Sequence, residues 1–102
     1  MIIIQGTTPT HTFTLPFDAS IVKCARFVYS QDGVVKFIKD TDRVTFDGAQ
    51  VSTTLTQEDT YSLEPDNQVK LLLRVLTVKG NALVSDPVYL LCLGCECKEV
   101  LA

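Results

Sequence analysis

Alternation of apolar and polar side chains with a period of two dominates this 102-residue chain. Phe13, Leu15 and Phe17 fall on one side of an extended segment, with Thr12 and Thr14 on the other. From Ile21 to Tyr29 two sets interleave: Val22, Cys24, Arg26 and Val28 against Ile21, Lys23, Ala25, Phe27 and Tyr29. The second set is expected to face the core, with Lys23 reaching water along its aliphatic stem. Val51, Thr53 and Leu55 repeat the theme. The strongest run, Val69 to Val78, sets Val69, Leu71, Leu73 and Val75 against Lys70, Leu72, Arg74 and Leu76. A strand apolar on one face and half apolar on the other belongs at the centre of a sheet or against a neighbouring subunit.

Turn signals separate these runs. Gln31-Asp32-Gly33 precedes a strand from Val34 to Lys39, and Asp47-Gly48 links Val44–Phe46 to Gln50–Leu55. Lys79-Gly80-Asn81 links Val69–Val78 to Leu83–Leu93. Residues tolerant of positive φ at these places close hairpins. Thr56-Gln57-Glu58-Asp59 predicts one short helical turn, with the Thr56 hydroxyl accepting from an amide near Asp59. No window carries a helical apolar stripe through three turns. The expected architecture is all-β: one domain over residues 1–102, an immunoglobulin-like antiparallel β-sandwich of about seven strands, with a small open barrel as the alternative. The stretch after Pro87 either completes this sandwich or reaches out to a neighbour.

Composition sharpens the picture. Val, Ile and Thr supply 12, 5 and 12 residues, a strand-favouring alphabet. The net charge of −3 gives no basic footprint, so a nucleic-acid partner is not expected. Met1-Ile2-Ile3-Ile4 is apolar but is cut off by Gln5 and Gly6, too short for a signal core or a membrane span. Synthesis in a reducing cytoplasm is therefore expected, with cysteines as free thiols. A single histidine and no tryptophan leave little machinery for acid–base or hydrolytic metal chemistry, so neither an enzyme nor a cofactor is expected.

Three constellations carry possible chemistry. Cys92-x-x-Cys95-x-Cys97, with Cys24 as a fourth ligand, could complete a tetrahedral thiolate shell, but no second C-x-x-C is present and incidental thiols are the preferred reading. His11 precedes a strand with no local frame for a nucleophile, and reads as a surface or hairpin-edge residue bonded to backbone. Asp40, Asp42 and Asp47 could attract calcium, but Val44 stands where an oxygen ligand is wanted and local backbone hydrogen bonds suit them better. The acidic stretch Glu58, Asp59, Glu64, Asp66 reads as a solvated connection, with an electrostatic patch for a basic partner as the second reading.

The segment from Gly6 to Asp18, GTTPTHTFTLPFD, is similar to the opening of small all-β proteins encoded in phages and prophages of Gram-positive, often gut, bacteria. Leu55-Thr56-Gln57-Glu58-Asp59-Thr60, Leu73-Arg74-Val75-Leu76-Thr77, Gly80 to Asp86 and Lys98-Glu99-Val100-Leu101 resemble the same group, so the likeness covers most of the chain. A looser similarity is to the N-terminal domain of phage baseplate upper proteins. The cysteine cluster is not part of the shared pattern. The resemblance implies a structural product of the tail or baseplate region, made in the host bacterial cytoplasm and carried in the virion, with no enzymatic residues. On this reading the partners are proteins, copies of the chain or other virion components. The uncharged edge segment Ile2, Ile3, Ile4 and the Leu72/Leu76 face are the expected contact residues. A carbohydrate- or surface-binding sandwich is the alternative, poorly served by three tyrosines and no tryptophan.

Overall fold

Each of the three expected turns closes a hairpin. β3 (Val22–Gln31) and β4 (Val34–Lys39) meet at Asp32-Gly33, and both residues take positive φ, 51° and 77°. That pair of left-handed residues matches the right-handed twist of the flanking strands. β5 (Thr45–Asp47) and β6 (Gln50–Thr54) join at Gly48, and β7 (Asn67–Thr77) turns at Gly80 into β8 (Ala82–Val84). β1 (Ile2–Ile4), β2 (Thr10–Thr14) and β9 (Val88–Leu93) complete the strands of a computed structural model that describes residues 1–95, 100 and 101.

The strands form two sheets. The larger runs β1-β9-β7-β3-β4 with β8 also beside β7, and the smaller runs β2-β6-β5. Pairing is antiparallel except that β1 runs parallel to β9. β2, β6 and β5 stand where strands B, E and D of an immunoglobulin sandwich stand. β9, β7, β3 and β4 stand where G, F, C and C′ stand. The fold is therefore an all-β, immunoglobulin-like sandwich; the two sheets are separate, not closed into a barrel.

The segment after Pro87 completes the larger sheet. β8 and β9 are two halves of one return strand, pairing with opposite ends of β7: Arg74 to Leu76 with β8, Asn67 to Leu71 with β9. Ser85-Asp86-Pro87 interrupts them, since proline has no N–H to give to a ladder. At the break the Ser85 hydroxyl accepts from the Leu73 amide at 2.9 Å, and the Ser85 amide donates to the Leu73 carbonyl at 2.9 Å. The backbone of β7 is thus satisfied where its partner detours.

The inward faces pack as the alternation predicts. Ala25, Phe27 and Tyr29 of β3 meet Val69, Leu71, Leu73 and Val75 of β7 beneath Val51 of the smaller sheet, all buried. Each such aliphatic or aromatic side chain contributes about 1.5–3 kcal/mol through burial. Register in β3 shifts between Val22 and Cys24, and the expected inward facing fails at this end: Ile21, in the 3₁₀ turn before the strand, and Lys23 are exposed. One expectation is corrected: Ile3 points inward and is 1 % exposed, so it belongs to the core and offers nothing to an interface. An unbroken apolar triplet has no alternation from which its facing could be read.

The link between β6 and β7 packs as a plug at one end. Thr56 and Asp59 form a capping box on α1 (Gln57–Tyr61): Asp59 N–H donates to Thr56 Oγ1 at 3.1 Å and Thr56 N–H to Asp59 Oδ2 at 2.8 Å. Buried Thr60 accepts from the Gly6 amide at 2.9 Å. Gly6, at φ 83°, allows this approach, because a Cβ there would lie 2.6 Å from the Tyr61 hydroxyl. Gln5 donates to the Leu63 carbonyl at 2.8 Å. Gln31 bonds the Glu64 backbone twice, at 3.0 and 2.7 Å, as a strand neighbour would.

Candidate functional site: an apolar sheet face and an interior polar cluster

The outward side chains of the larger sheet line up by register. Ile2 lies opposite Leu91, and Leu91 opposite Gln68; Lys70 lies between Tyr89 and Ser30. Leu72 lies beside Val28, which lies beside Ile38, and Leu76 lies beside Cys24. Ile2, Val35 and Tyr89 are more than half exposed, at 54, 52 and 51 %, and Leu91, Ile4 and Ile38 are exposed too. Single exposed apolar residues are ordinary, whereas apolar residues gathered on both flanks of one sheet face, here with Gln68, Lys70 and Ser30 between them, suit an interaction surface. Among the described residues, the charged side chains projecting outward from these strands are Arg26, Lys70 and Arg74, all basic on a chain of net charge −3. Arg26 meets the Asp40 carboxylate at 3.0 Å at the rim.

The free edge of β1 is blunt. It has three residues, and the Ile4 carbonyl is already taken by the Thr7 amide at 3.2 Å and the Thr7 hydroxyl at 2.6 Å. A short edge with its carbonyl capped is a poor template for another strand. Sequence reasoning favoured strand addition here; the geometry moves the available surface to the face, carried by Ile2, Ile4, Leu72 and Leu91, with Leu76 at its far end.

Between the sheets, at the β4 side, lies a cluster of polar groups. His11 faces inward from β2, and its Nδ1 is 2.6 Å from the Tyr29 hydroxyl, with the rings 5.6 Å apart. Burial holds the His11 pKa below its ordinary value, so the ring is neutral. Burial, with the Asp59 charge nearby, pushes the Tyr29 phenol up, so the phenol keeps its proton and shares a hydrogen bond with His11 Nδ1. Tyr29 stacks on Phe37 at 4.6 Å. Beside them Lys39, buried on β4, sets its Nζ against Asp59 Oδ2 at the start of α1. The Lys39 ion and the Thr56 amide outweigh burial and keep the Asp59 carboxyl below its ordinary value.

Other expected site residues are separated or committed. Cys24 lies on the outer face opposite Leu76, while Cys92 is buried on the inner face opposite Asn67, at the other end of β7, roughly 30 Å away at strand rise. These two cannot share a metal shell. Cys95 lies near Gln5, and Cys97 lies outside the described residues. No group of three potential metal ligands occurs among the described residues. Burial and the neighbouring acids Asp66 and Glu64 raise the Cys92 pKa, making it a protonated core thiol. Asp40 caps the short 3₁₀ turn Thr41–Arg43 and pairs with Arg26, so it is engaged locally. His11 is an inter-sheet residue, not a surface one. The acidic stretch is not simply solvated either: Asp59 meets Lys39, and Glu64 lies 3.8 Å from Lys36. The inter-sheet contacts His11–Tyr29 and Lys39–Asp59 escaped sequence reasoning because each partner comes from a different element with no fixed spacing.

No protein-family model matches the chain, and no curated protein matches it. Among solved structures it resembles the V domain of amphioxus IgVJ-C2, at 13% identity over 88% of this chain and 96% of that one, with a TM-score of 0.35. At that level the likeness transfers no function. Among the described residues no helix is long and apolar enough to cross a membrane.

Proposed function

We propose that the protein is a non-enzymatic structural or assembly component of a phage virion, acting by binding another protein through the outer face of its larger sheet. The observation that carries this reading is the set of exposed apolar residues on one sheet face, Ile2, Ile4, Tyr89 and Leu91 on one flank and Val35 and Ile38 on the other, with half-buried Leu72 between. Arg26 is neutralised by Asp40 and Asp32 lies on the same face as Lys70, so the partner surface this face fits is chiefly apolar, with acidic groups opposite Lys70 and Arg74. Placement in the tail or baseplate region rests on the sequence resemblance. The test is mass spectrometry of purified particles from an induced host carrying the gene. The chain is expected in the particles, and a folded Leu72→Asp/Leu91→Asp variant is expected to be lost from them. Absence of the wild-type chain, or equal incorporation of the variant, contradicts the proposal.

A further inference from the structure

We infer that Lys39 and Asp59 become joined side chain to side chain by an amide bond, with loss of water, so that β4 is covalently tied to the start of α1. The inference is independent of the interaction surface and rests on how these two groups are held. Lysine is rarely buried, yet Lys39 lies on the inward face of β4, in register with Phe27, and its Nζ abuts Asp59 Oδ2. The side chains are 10 and 18 % exposed. Among the described residues the two other ion pairs differ: Arg26–Asp40 is open to water, and Glu64 beside Lys36 is 66 % exposed. Phe37, two residues before Lys39 on β4, stacks on Tyr29 next along the sheet.

The step balances without any co-reactant. The Lys39 ammonium passes one proton to Asp59 Oδ1, giving a neutral amine and a carboxylic acid as the minor, reactive form beside the ion pair that the Lys39 ion and the Thr56 amide favour. The Nζ lone pair adds to Cγ. As Oδ2 takes up negative charge it is met by the Thr56 N–H, 2.8 Å away, a backbone donor fixed by the capping box. Nζ then releases its second proton to Oδ1, which leaves as water. One C–N bond forms, one C–O bond breaks, and nothing is oxidised. Holding nucleophile and electrophile together is worth effective molarities of about 10⁵–10⁸ M in well-oriented systems. The product keeps the cap, because Oδ2 remains as the amide oxygen accepting from Thr56, and the Asp59 amide still donates to Thr56 Oγ1. Net charge is unchanged, since one positive and one negative group vanish together.

Intact mass spectrometry of the full chain, purified folded and then denatured, reads the bond directly. The expected mass is lower than the sequence mass by one water, and Lys39→Met restores the sequence mass of that variant. Trypsin is expected to leave the chain uncut after Lys39 and to yield residues 37–43 joined to residues 44–70 as one branched product. A wild-type chain at full sequence mass after prolonged incubation, with cleavage after Lys39, overturns the inference. So does a water loss that maps elsewhere, such as to Asp47-Gly48. The wild-type measurement decides the matter even where Lys39→Met fails to fold.

Discussion

At the scale of single residues, the interior of the sandwich holds polar groups in matched pairs. Among the described residues no buried side-chain nitrogen or oxygen lacks a partner. Tyr29→Phe removes the hydrogen-bond partner of His11 Nδ1 without changing the packing of the ring. The expected cost is about 1–2 kcal/mol, read from urea unfolding. Thr60→Val strips the acceptor of the Gly6 amide and the donor to the Thr7 carbonyl, and is expected to cost about 1–3 kcal/mol in the same assay. His11 sets a pH dependence. Its folded pKa lies below the ordinary 6.5, so as pH falls below 6.5 the unfolded chain takes up the proton first and stability drops until the folded ring also protonates. Unfolding free energy is expected to be lower at pH 5 than at pH 7, with His11→Asn flattening that part of the difference. A curve for the wild type that is flat over this range would contradict a neutral buried ring. None of these pairs is visible in sequence, because a histidine in a threonine-rich strand and a tyrosine 18 residues later share no motif.

At the scale of elements, turns and facings were legible where local chemistry decides them. Asp32-Gly33, Gly48 and Gly80 hold positive φ, and the alternation through Ala25, Phe27 and Tyr29 marks the core face of β3. Two features were not legible for physical reasons. Ile2-Ile3-Ile4 has no polar member to show its facing, and its parallel partner β9 is at the far end of the chain. The break between β8 and β9 is signalled by Pro87, but its repair by Ser85 depends on where β7 lies. Ser85→Ala orphans the Leu73 amide, and faster hydrogen exchange at Leu73 than in wild type is the expected result. Unchanged exchange there would mean that the hydroxyl is dispensable. Leu73 itself is a core residue of β7; Leu73→Ala is expected to lose about 2–5 kcal/mol of stability by denaturant titration.

At the scale of the whole molecule, the described residues leave the outer faces of both sheets uncovered, and the face of the larger sheet is the more apolar of the two. On the smaller sheet Val51 and Phe13 pack into the core and Phe46 is its exposed apolar residue, while β1, β9, β7, β3 and β4 together turn a face with many apolar side chains outward. Leu72 and Leu76 were legible as part of it because the second face of β7 is half apolar, a pattern that fits a strand covered on both sides. Tyr89, Leu91, Val35 and Ile38 join it only through the sheet order. The protein-contact role of this face is most directly tested by hydroxyl-radical footprinting of the free chain against the chain in purified particles, read at single residues. Tyr89, Leu91 and Ile2 are predicted to be labelled in the free chain and protected in the particle, while Phe46 on the smaller sheet stays labelled in both. Equal labelling of Tyr89, Leu91 and Ile2 in the two states, or protection confined to Phe46, would contradict it.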